Sequence, residues 1–116
     1  FWPGGRFIMS SKNNLKLLYL TAGTQSEAEK IAMVLLRQKY VACANIINSM
    51  VSLYWWEETI SRSSEVVLIL KTTEELVEKT IAKVIELHNY ECPAVVVLNI
   101  ENGNPDYLDW IIRNTA

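Results

Sequence analysis

The sequence predicts an α+β domain whose elements run β-α-β-β-α-β, closed by a further C-terminal helix. Three observations carry that prediction. Apolar runs of strand length alternate with stretches whose apolar residues recur at helical spacing. Hydroxyl residues followed by Glu three positions later stand in front of the first two helical stretches, the capping-box pattern. Two strand-like runs follow each other with only a short polar segment between them, which reads as a hairpin.

The elements follow in order. Leu15 to Thr21 is short, apolar and followed by Gly23, as expected of a buried strand. Thr24-Gln25-Ser26-Glu27 opens a helix in which Ala28, Ile31, Ala32, Leu35 and Leu36 form the apolar side. Glu27, Glu29, Lys30 and Arg37 are expected on its other, solvated face. Tyr40 to Trp56 is rich in β-branched and aromatic residues and predicts a long strand, bulged or bent at Asn48-Ser49. Ile60 to Ser64 is polar and is expected to turn the chain into Glu65 to Thr72, the strongest strand pattern of the sequence. Thr72-Thr73-Glu74-Glu75 repeats the capping box before a second amphipathic helix carrying Leu76, Val77, Ile81, Val84 and Ile85 and ending near His88-Asn89. Pro93 stops helix, and Ala94 to Ile100 is a continuous apolar strand. Asn102-Gly103 turns the chain. Asn104 caps the last helix, with Pro105 at its first position and Asp106 at the positive end of its dipole.

Strands interleaved with helices around a central hairpin give the split βαβ, or ferredoxin-like, arrangement. Right-handed crossovers put both helices on one face of the antiparallel sheet. The opposite face is then bare, yet Val66 to Leu70 and Val95 to Leu98 are apolar on both sides of the pleat. Self-association is the expected cover, because patches of that size are rare on monomers.

Composition bounds the rest. A chain of 116 residues is one domain, here residues 9–116, and half of it is apolar. Eleven basic and thirteen acidic residues give a net charge of −2, too balanced for a protein that reads phosphates through a basic field, so no nucleic-acid partner is expected. The apolar content excludes a disordered chain, and no run of apolar residues is long enough for a helical membrane span. Residues 1–8 (FWPGGRFI) have no periodicity and no signal-peptide pattern; they read as an expression remnant or a floppy native N-terminus, with Met9 as the natural start. Without them the domain has no Phe, and its eight aromatics are all Tyr or Trp. No nucleophile elbow, P-loop or dinucleotide fingerprint is present, and a non-enzymatic role without an organic cofactor is expected. Cys43 and Cys92 lie far apart, outside any zinc pattern, and are expected as reduced thiols in a cytoplasm.

Five segments, VACANI (41–46), SLYWWE (52–57), EVVLILKT (65–72), HNYECP (88–93) and GNPDYLDW (103–110), resemble the CutA family of divalent-cation tolerance proteins in order and spacing. The resemblance spans about residues 15–112. It implies a ferredoxin-like subunit in a tight homotrimer similar in architecture to PII signalling proteins, a cytoplasmic location, and a part in tolerance of copper and other divalent metals. The chain departs from the family at Asn89, where members often carry Pro, and at Cys92.

Candidate residues fall into two sets. His88 follows a helix end, where it either caps or offers a ring nitrogen to copper or another divalent metal. Cys43 reads as a small buried hydrophobe or as a ligand repeated about a threefold axis, and Cys92 as an exposed thiol four residues from His88. The metal set is therefore His88 first and Cys43 or Cys92 second. Tyr54, Trp56, Lys71, Tyr90, Glu91, Tyr107 and Trp110 are expected either as interface core or as an aromatic inter-subunit cleft that orients a small anionic ligand through Lys71. The functional expectation is divalent metal binding in metal tolerance. The alternatives are a PII-like sensor of an anionic metabolite and a trimeric scaffold for a protein partner.

Overall fold

The computed structural model describes residues 14–116; the expectations for residues 1–8 and for Met9 lie outside it. The elements are β1 (Leu15–Ala22), α1 (Gln25–Arg37), β2 (Cys43–Trp56), β3 (Thr59–Thr73), α2 (Val77–Leu87), β4 (Val95–Ile100) and α3 (Pro105–Arg113), with a 3₁₀ turn at Glu74–Leu76 leading into α2. The sheet order is β2-β3-β1-β4 and every neighbouring pair is antiparallel. Each helix between strands therefore crosses over one intervening strand, as the ferredoxin-like order requires.

Alternation along the strands decides what each face meets. Leu18 and Leu20 of β1 pair with Leu70 and Leu68 of β3, and all four are fully buried with Ile31 and Leu35 of α1 and Val84 of α2. This is the main core. The opposite face carries Leu15, Leu17, Tyr19 and Thr21 of β1 with Val67, Ile69 and Lys71 of β3. One end of that face is covered by α3, whose Leu108 and Ile111 bury against Leu15 and Ala42. The helix holds its own start as expected, with Asn104 Oδ1 accepting from the Asp106 amide at 3.2 Å. The β4 edge of that face is open: Val96 and Leu98 are 54% and 49% exposed.

The β2–β3 hairpin is longer than the sequence suggests. The chain turns at Glu57-Glu58 rather than within Ile60 to Ser64, and Trp56 pairs with Thr59. Both turn residues have positive φ, 47° and 66°, the backbone that a two-residue type I′ hairpin needs. Glu is a poor residue for that region, which is why the turn left no local mark. The expected irregularity at Asn48-Ser49 is present as a register shift between Ile47 and Met50, with Ser49 at φ 64°. Beyond it Leu53, Trp55, Trp56 and Ile60 are all more than half exposed.

A second difference lies at the start of α2. Thr72 does not cap it; its hydroxyl donates to the Tyr40 carbonyl at 2.6 Å, and the 3₁₀ turn Glu74–Leu76 supplies the transition instead. Among the described residues no helix is long and apolar enough to cross a membrane.

Candidate functional site

The open sheet face ends in two distinct neighbourhoods. At the end reached by the loop after α2, Glu27 organises the backbone. Thr24 caps α1 by accepting from the Glu27 amide at 3.1 Å. The Glu27 carboxylate accepts from the amides of Gly23 at 3.1 Å and Asn89 at 2.7 Å. It is buried, not on the solvated face that periodicity assigns to it. His88 lies against it, with Nδ1 3.6 Å from Glu27 Oε2.

The partners of His88 fix its tautomer. Nε2 is 2.7 Å from the Thr21 carbonyl oxygen and so carries the hydrogen. Nδ1 accepts from the Tyr90 amide at 3.0 Å. Both nitrogens of this buried ring are in use, joining the loop to β1 and shaping the loop itself. A metal would have to displace one of those partners.

Tyr90 continues the chain of contacts onto the open face. Its ring centroid is 4.6 Å from that of His88, and its hydroxyl donates to Glu65 Oε2 at 3.0 Å. Burial, then the hydrogen bond to Glu65 and the negative charges of Glu65 and Glu27, push the phenol up to about 12. In front of this pair lies a cavity of about 750 Å³ bounded by Tyr54, Trp56, Glu65, Tyr90, Glu91 and Cys92, among others. Cys92 is exposed there. Four of the seven expected cleft residues therefore share one cavity.

The other three stand at the opposite end. Lys71 Nζ donates to Asn45 Oδ1 and to the Tyr107 hydroxyl, both at 3.1 Å. Tyr107 stacks on Trp110 with centroids 5.8 Å apart. Burial raises the Tyr107 phenol above its ordinary value, and the Lys71 hydrogen bond and charge partly oppose that rise. Cys43 pairs with Lys71 across the strands, and its thiol reaches Asn45 Oδ1 at 3.7 Å. Lys71 lies six residue steps along β3 from Glu65, roughly 20 Å. Cys43 is thus remote from Cys92 and His88 within one chain. Among the described residues no group of three or more His, Cys, Asp and Glu side chains could hold a metal ion.

Two residues of the cavity end were absent from the sequence candidates. Glu65 was legible in part: it shares strand parity with Val67 and so belongs to the open face. Glu27 was marked by its capping position but not by its burial.

Residues 16–114 match the family described as the CutA1 divalent ion tolerance protein. The chain belongs to the CutA1 family. A CutA1-family relative, the divalent-cation tolerance protein CutA of Pyrococcus horikoshii, is 38% identical over 99 residues, covering 85% of this chain and 96% of its own length. Among solved structures, CutA1 from Oryza sativa has a TM-score of 0.88 at 32% identity, covering 92% of this chain and 98% of that one. CutA1 from Ehrlichia chaffeensis has a TM-score of 0.86 at 37% identity, covering 90% and 98%. The five sequence segments therefore mark a CutA1 chain, and the ferredoxin-like fold they implied is the fold observed.

Proposed function

We propose that this CutA1-family chain acts in divalent-cation tolerance as a non-enzymatic, cytoplasmic homotrimer that binds divalent metal, copper first. Membership of the divalent ion tolerance family is the observation that carries the metal role. The uncovered apolar sheet face supports the assembly, since Val96, Leu98 and the hairpin aromatics have no cover from the chain's own described residues.

A complete coordination sphere needs more than one subunit, because one chain separates Cys43 from Cys92 and commits both nitrogens of His88. Cys92 offers the accessible soft donor, with Glu91 beside it. A threefold axis would triple whatever each chain contributes. The sensor alternative requires Lys71 and the aromatic cavity in one cleft, and only a neighbouring subunit could bring those two ends together.

Calorimetric titration with copper tests this reading on the assembled protein. Wild type should bind, Cys92→Ser should weaken binding strongly, and His88→Ala should weaken it less. No heat of binding from wild type with copper would refute the metal role.

A further inference from the structure

The α3 end of the sheet places a thiol against an amine. Cys43 and Lys71 are direct cross-strand partners on β2 and β3, a position in which Cβ atoms stand about 4.5–5.5 Å apart. Their side chains converge on one acceptor, Asn45 Oδ1, 3.7 Å from the Cys43 thiol and 3.1 Å from Lys71 Nζ. The Tyr107 hydroxyl is a second meeting point. It accepts from Lys71 at 3.1 Å, and its phenol is raised by burial, lowered by Lys71 and raised by Cys43. Cys92, the other thiol of the chain, stands at the far end of the face, so Cys43 has no thiol of its own chain to pair with. Every one of these contacts is made within one chain, and none depends on what covers the sheet face.

We propose that Cys43 and Lys71 form a hydroperoxide-driven, thiol-reversible covalent bond that ties β2 to β3. The thiol takes one oxygen from the hydroperoxide, which leaves as water or an alcohol, and becomes a sulfenic acid. A sulfenic acid condenses with a thiol or with a nitrogen placed beside it. Here the lone pair of the unprotonated Lys71 amine attacks sulfur, the S–O bond breaks, and the hydroxyl leaves with one amine proton as water. One S–N bond results. Sulfur has lost two electrons and the hydroperoxide has gained them. Two molecules of an external thiol reverse the bond, the first releasing the amine as a mixed disulfide forms and the second releasing Cys43. Bonded to sulfur, the nitrogen carries no positive charge and keeps a single N–H, so Asn45 and Tyr107 cannot both retain their donor. Oxidation therefore removes the Lys71 cation, and with it this end's grip on an anion.

The test treats the native protein with hydrogen peroxide in the presence of EDTA, because a metal on Cys43 would compete for the thiol. Non-reducing tryptic mapping by mass spectrometry reads the product. Residues 40–62 should appear joined to residues 63–79, about 2 Da lighter than the two peptides together, with cleavage after Lys71 lost. Dithiothreitol should restore the separate peptides. In Lys71→Arg the charge stays but the amine is gone, so Cys43 should stop at the sulfenic acid and be trapped by dimedone. Cys43→Ser should give no joined peptide. Three results overturn the proposal: Cys43 still reduced under a peroxide excess that oxidises a free cysteine, a wild-type sulfenic or sulfinic acid with trypsin still cutting after Lys71, or a disulfide between Cys43 and another chain.

Discussion

His88 donates from Nε2 to the carbonyl of Thr21 across 67 residues of sequence, and that 2.7 Å bond fastens the loop after α2 to the end of β1. The same ring accepts from the Tyr90 amide, and Tyr90 in turn holds Glu65. A buried imidazole thus sets the wall of the cavity.

Replacing His88 with Ala leaves the buried Thr21 carbonyl and the part-buried Tyr90 amide without these partners. The cost should be about 2–4 kcal/mol of stability. Urea unfolding measures it as a lower midpoint with an unchanged slope. A loss smaller than about 0.5 kcal/mol would show that neither bond matters to the fold.

Tyr90 makes stability pH-dependent on the alkaline side. Its phenol titrates near 10 when unfolded and about 12 in the fold, so the folded chain holds the proton more tightly. The contribution is complete below pH 10 and is lost as pH rises through about 12. Urea midpoints should fall between those limits, and the fall should be smaller in Tyr90→Phe. An identical profile in wild type and variant would remove Tyr90 as the cause.

Lys71 acts in the opposite sense on Tyr107. Its hydrogen bond and charge favour the phenolate, so Lys71→Ala should raise the Tyr107 phenol further. Ultraviolet difference titration against Tyr107→Phe isolates that group. Loss of the two Lys71 hydrogen bonds should also cost about 1–2 kcal/mol.

The order of elements was legible because its signals are local. Continuous apolar runs marked the strands, Thr24 and Asn104 marked two helix starts, and Asn48-Ser49 marked the bulge. The hairpin turn was not legible, since Glu57 and Glu58 carry none of the Gly or Asn chemistry that positive φ favours, and the pairing of two long strands imposes it. The second capping box failed because Thr72 spends its hydroxyl on Tyr40, a contact 32 residues distant. Glu27 is buried by a loop 62 residues away, which no periodicity reveals. The candidate cleft was half legible for a related reason. Alternation places Glu65 and Lys71 on one face, but it does not say that α3 claims one end and the loop after α2 the other.

The bare sheet face links the composition to the function, because half-apolar sequence that one domain leaves exposed calls for partners. Light scattering on the native protein at micromolar concentration tests this most directly. The account predicts a mass of about 40 kDa, three times the 13.3 kDa of one chain. A mass of 13.3 kDa would contradict it.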